Sequence, residues 1–212
     1  RPIWNLLSTY ALALRLDESL AVTGTLAGQF GDQPELRDRL AAALSPEATG
    51  VAWLALAGLA LRDADEPTAA ARLLVAQRIC QFGAERLPKA TEPRSCAGEA
   101  AAQRGELPMA IRWFEEAFDL DSDDHETTSS LARLYHLRIA DLLAGERIDA
   151  AKREVAFIEA FFARAKTRWP TRPLDAPSLA DVYLTLGRGL YNAGEIDPDR
   201  ASFVHARELG AP

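Results

Sequence analysis

Apolar residues recur three and four positions apart along most of this chain, and small residues punctuate them at wider intervals. Leu20, Gly24, Ala27, Gly31, Leu36, Leu40 and Ala43 make one such series, and Gly98, Ala101, Gly105, Leu107, Ala110, Phe114 and Ala117 make another. That spacing predicts amphipathic helices. The series also repeat. Gly24 and Gly58 lie 34 residues apart, as do Gly98 and Ala132, and Gly31, Gly105 and Gly194 each follow an earlier glycine by seven residues. A period of this length marks helical hairpins that stack because none can bury its apolar face alone.

Aligning the small residues predicts five units, at 17–50, 51–84, 91–124, 125–168 and 180–212. An N-terminal helix over 1–16, carrying Trp4, Leu6, Leu7 and Leu12, reads as the remnant of a preceding repeat and suggests a piece of a longer protein. Each position has a physical role. The small residue midway along the first helix (Gly24, Gly58, Gly98, Gly187) lets the second helix approach, and the later glycine ends the first helix in a left-handed conformation. Pro34, Pro67 and Pro108 then open the second helices, where a missing N–H costs nothing. Unit four departs from the pattern. Its turn glycine, Gly145, comes six residues late, which implies helices of roughly 20 residues on either side. Within it Val155, Ile158, Phe162, Ala165 and Trp169 share one face, with Phe157 and Phe161 beside it.

The run Gly105-Glu-Leu-Pro-Met-Ala-Ile-Arg-Trp-Phe-Glu-Glu-Ala-Phe-Asp-Leu-Asp, with Gly98 before it, resembles the tetratricopeptide repeat family. The resemblance covers most of 17–212 and departs at Leu36 and Asp199, where the family usually has alanine. It implies an all-α fold, a right-handed α-solenoid of four to five helix-turn-helix repeats. It also implies a concave face lined by the first helix of each hairpin. By register that face would carry Arg62, Asp63, Glu99, Gln103, Arg133, His136, Arg188, Tyr191 and Asn192, with Ala52, Ala55 and Leu59 making its N-terminal part apolar. Ser95, Glu99 and Ser129 stand where the family's carboxylate clamp needs lysine and asparagine, which disfavours that version.

Composition narrows the function. The chain has 212 residues, 48% of them apolar, and a formal net charge of −7, which opposes general nucleic-acid binding. Acid concentrates over 92–126, with ten Asp or Glu against three Arg, whereas 127–180 has nine Lys or Arg against six acids. The longest apolar run, Val51–Leu61, is far shorter than the roughly 20 residues that span a bilayer.

Candidate chemistry is sparse. Cys80 and Cys96 lie nearly equidistant from a turn at Leu87–Lys89, so antiparallel helices would set them opposite each other, either as a disulfide or as two buried thiols. Asp119, Asp121 and Asp123 imitate the start of a calcium loop, but Asp124 and Ser130 replace its glycine and its closing glutamate. The aspartates instead read as a turn that caps the next helix. Gly187-Arg-Gly189 lacks the third glycine and the preceding strand of a nucleotide loop, and the three histidines have no metal spacing. No nucleophile elbow or phosphate-binding lysine loop is present, so neither an enzyme nor a cofactor is expected.

Two functions fit these observations. One is a scaffold that binds a protein segment or helix in its groove, acidic in character because of Arg133 and Arg188. A disulfide would set that scaffold in an oxidising compartment, and similarity to envelope members of the family then implies assembly or secretion in the bacterial periplasm. Without the bridge, the cytoplasm is expected. The other is a ligand-sensing domain of a larger regulatory protein, with Trp169–Pro177 as a lid.

Overall fold

A computed structural model of the chain describes residues 34–61, 66–121, 124–168 and 176–209. These residues form nine helices and no strand. The expected N-terminal helix, the first helix of unit one, Arg62 and Asp63, and 169–175 lie outside the described residues. The chain divides into two compact units, Arg1–Asp121 and Ser122–Pro212.

In the first unit, α1 (Pro34–Leu44), α2 (Gly50–Leu61), α3 (Glu66–Arg86), α4 (Glu92–Gln103) and α5 (Leu107–Leu120) each pack on their chain neighbours, and α2 also packs on α4. In the second, α6 (His125–Ala144), α7 (Ile148–Arg168), α8 (Ala176–Asn192) and α9 (Ile196–Glu208) repeat the pattern, with α6 packed on α8. First helices thus pack on the next first helix within each unit. Prolines stand in the opening turns of α1, α3 and α5, as their fixed φ and absent N–H favour.

Two hairpins share one packing device. A Cβ on Gly98 would lie 2.7 Å from the Phe114 ring, and one on Gly187 would lie 2.8 Å from Phe203. In each case the glycine on the first helix makes room for an aromatic on the second. Gly58, expected to do the same in unit two, does not. A Cβ there would meet nothing within 4 Å, and the residue is exposed. Helix α2 is apolar all round, and it buries Trp53, Leu56, Ala57, Leu59 and Ala60 while leaving Val51, Leu54 and Leu61 partly exposed. Leu59 is therefore core rather than groove lining. Leu36 and Asp199, at the positions where the family usually has alanine, are also buried.

The turns repeat as well. Gly105 has φ +76°, and its N–H donates to the Ala102 carbonyl while that of Glu106 donates to Ala101. Gly194 has φ +80° with the equivalent bonds to Tyr191 and Leu190. Between α6 and α7 the same two bonds run from Glu146 and Arg147 to Leu143 and Leu142. The left-handed residue there is Glu146, at φ 56°, rather than the expected Gly145. Glu146→Gly removes a side chain from a conformation that disfavours one, so a gain of about 1 kcal/mol is expected by chemical denaturation. Glu146→Ala should not reproduce that gain.

Successive hairpins are joined by polar and covalent ties. The Cys80 and Cys96 sulfurs lie at bonding distance with Cα atoms 5.9 Å apart, linking α3 to α4 as a disulfide. Gln77 is buried on α3. Its amide oxygen accepts from Arg104 at 2.5 Å, its nitrogen contacts Met109 Sδ at 3.1 Å, and Arg104 pairs with Glu106 at 2.8 Å. In the second unit Lys152 Nζ meets Glu195 at 2.5 Å, tying α7 to the turn before α9. The expected long helices of unit four are α6 and α7, 20 and 21 residues long. Val155, Ile158 and Phe161 of α7 are buried, Phe162 is partly so, and Phe157 is exposed.

Candidate functional site

Helices α6 and α8 run side by side in the same direction, as two contacts establish. His136 Nδ1 lies 2.9 Å from Thr185 Oγ1, and seven residues further along α6 Leu143 packs against Gly189, where a Cβ would fall 2.5 Å from its side chain. The Thr185 hydroxyl donates to the Asp181 carbonyl at 2.9 Å, so it accepts from His136 Nδ1 and leaves Nε2 for another partner.

Gly187 and Gly189 fix what lies between them. Gly187 faces Phe203 of its own hairpin, Gly189 faces Leu143 of the preceding one, and Arg188 is exposed between them. Tyr191, 67% exposed, and exposed Asn192 follow within one turn, while α6 contributes exposed Arg133, His136 and Leu137. Five of the expected site residues, Arg133, His136, Arg188, Tyr191 and Asn192, therefore stand exposed on two adjacent helices of one unit. Guanidinium groups beside a tyrosine and a leucine offer directional donors next to flat apolar surface, which suits a carboxylate-bearing peptide.

The other expected residues are placed differently. Glu99 and Gln103 belong to α4 in the first unit, where the Gln103 amide donates to Glu99 at 3.0 Å. They form an i,i+4 pair on one helix. Ala52 and Ala55 are half-buried. Of the calcium-like aspartates, Asp119 and Asp121 stand at the end of α5, Asp123 lies outside the described residues, and Asp124 accepts from the Thr127 hydroxyl at 2.5 Å where α6 begins.

Two features escaped the sequence. Tyr183 on α8 donates to Glu159 on α7, with the His205 ring of α9 edge-on at 4.5 Å and His205 Nε2 3.7 Å from the same carboxylate. Burial, then the hydrogen bond and the negative charge of Glu159, holds the Tyr183 phenol neutral well above its usual range. Its members are 24 and 22 residues apart, so no local pattern signals them. The second feature is a cavity of about 700 Å³ in the first unit, bounded by the start of α2, the α3–α4 connection and the end of α5. Thr49, Arg86, Lys89, Glu92 and Asp121 line it. Arg94 braces that connection by donating to the carbonyls of Ala90 at 2.8 Å and Leu87 at 3.3 Å.

No described helix is long and apolar enough to cross a membrane. No protein-family model matches the chain, and no curated protein matches its sequence.

Proposed function

We propose that this chain is a non-catalytic protein-binding module of tetratricopeptide type, its hairpins wound as a right-handed solenoid. It would hold an acidic peptide segment or helix along the face of α6 and α8. The observation that carries this reading is the placement of Arg188. Two glycines set their backbone positions against neighbouring helices and leave the arginine outward, one turn from Tyr191 and on the helix that packs against α6, where His136 and Arg133 are exposed. The packing of α2 on α4 and of α6 on α8 supports the solenoid, because first helices meet in that way along a stacked array. The disulfide between Cys80 and Cys96 favours an oxidising compartment, and with it envelope assembly or secretion.

Capture from the native source tests the reading, comparing wild type with the Arg133→Glu/Arg188→Glu double variant. One or more proteins should be retained by wild type and lost by a variant with an unchanged circular dichroism spectrum and melting temperature. Equal capture by both would sink the assignment of this face.

A second reading, a ligand-sensing domain, draws on the open depression of about 700 Å³ beside the α3–α4 connection. The lid expected at Trp169–Pro177 is a separate part of the chain, and 169–175 of it lie outside the described residues.

A further inference from the structure

His136 is held across the α6–α8 interface by one end of its ring. Its Nδ1 lies 2.9 Å from the Thr185 hydroxyl, which donates to the Asp181 carbonyl at 2.9 Å and so accepts from the imidazole. That bond sets the ring's first proton on Nδ1 and leaves Nε2 as the nitrogen that gains or loses the second. The residue itself is exposed. Charged groups stand around it on both packed helices. On α6, Arg133 precedes it by three positions, one turn back on the same face. On α8, exposed Asp181 and Arg188 stand four positions before and three after Thr185. Helix α7 meets α6 through Tyr135 against Phe161 and through Arg138 at Glu154. Arg138 lies two positions beyond His136, which sets it on the opposite side of the helix.

We infer that His136 makes binding at the α6–α8 face depend on pH, so that an acidic segment is held more tightly in mildly acidic solution than above neutrality. The inference rests on the reading of that face as a site for acidic segments and adds the regulation of the same site. Arg133 and Arg188 keep their charge whatever the pH, whereas an imidazole changes its charge between about pH 5 and 8. With Nδ1–H committed to Thr185, neutral His136 has only a lone pair at Nε2, which offers a carboxylate nothing. The protonated ring presents a charged N–H at that same atom, and it does so in place, because the bond to Thr185 is the same in both states. A carboxylate bound there favours the protonated ring, so binding takes up a proton. The sign follows by linkage: affinity is highest at pH values below the imidazole's titration and falls as pH rises through it. Glutamates and aspartates of a ligand stay ionised above about pH 5.5, so its own charge is constant over this window.

The test uses the full chain and a synthetic peptide of glutamate and alanine, carrying a rhodamine label whose emission does not change with pH. Fluorescence anisotropy should show wild type binding it about threefold tighter at about pH 5.5 than at about pH 8, the worth of one exposed ion pair. His136→Gln stays polar and cannot charge, so it should bind at both values as wild type does at the higher one. His136→Lys is charged throughout and should bind alike at both. His125 and His205 are unchanged in these variants, so a dependence that came from them would persist. Circular dichroism and the melting temperature verify folding of each variant at each pH. Binding that is lost in Arg133→Glu/Arg188→Glu but equal at the two pH values in wild type would overturn the inference and leave the reading of the face intact. The same pH dependence in His136→Gln as in wild type would also overturn the inference alone. No binding at either pH, or binding indifferent to the arginine pair, would overturn that reading and the inference with it.

Discussion

Replacing Trp53 with alanine is expected to destabilise the chain by about 3–5 kcal/mol, the largest single-residue effect proposed for this protein. Trp53 has no solvent exposure and belongs to the core cluster of the first unit with Leu36, Leu40, Leu56, Val75, Ile79 and Ala97. Its ring fits a space left by Gly83 of α3, where a Cβ would fall 2.7 Å from the indole. An interior this closely packed relaxes only partly around a cavity, so lost contact and unfilled volume add. The indole N–H has no hydrogen-bond partner among the described residues. Trp53→Phe should therefore cost much less than Trp53→Ala, because it keeps most of the ring volume and removes an unsatisfied buried donor. Urea unfolding followed by circular dichroism measures both. A phenylalanine variant as unstable as the alanine one would mean that the N–H is satisfied in solution.

The second large effect is covalent. Reduction of the disulfide, or Cys80→Ser with Cys96→Ser, should lower stability by about 3 kcal/mol, mainly by releasing the unfolded chain from a short closed loop. The bridge spans 16 positions and encloses the α3–α4 connection that borders the cavity. Cys80 is fully buried on α3, so serine there also sets a hydroxyl in an apolar core, and Cys80→Ala with Cys96→Ala is the cleaner comparison. Thermal unfolding with and without reductant is the measurement. Wild type should move under reductant and the alanine pair should not. A wild type indifferent to reductant would show that the thiols are unpaired in solution.

How much of this was legible beforehand depends on which positions carried a local signal. Gly98 and Gly187 were readable as places of close helix approach because each precedes a turn glycine by seven residues, whereas the aromatic that fills each space, Phe114 or Phe203 of the same hairpin, was not. The cysteines were readable as neighbours because both flank one connection at similar distance. Gly58 misled because α2 is apolar on every side, so its period sets the spacing of small residues but not which way they face. At the α6–α7 turn the glycine was visible and the left-handed position was not, since the hydrogen-bond register decides that Glu146 takes it. The site divides in the same way. Helical register was enough to nominate Arg133, His136, Arg188, Tyr191 and Asn192, whereas Glu99 and Gln103 belong to the other unit. Phe157 looked no different from Phe161, yet one is exposed and the other buried.

By itself the sequence determined that the chain is helical, where its hairpins turn, and which residues are small enough for helices to meet. Those properties follow from side-chain volume, backbone freedom and spacing, all written locally. Tertiary structure alone decided which face of each helix meets a neighbour, and so which residues stayed outside. The exposed Phe157, the Glu159–Tyr183–His205 contact and the depression beside the α3–α4 connection each depend on helices far apart in the chain. Their rotation about their own axes is set by packing against one another, which no local pattern encodes.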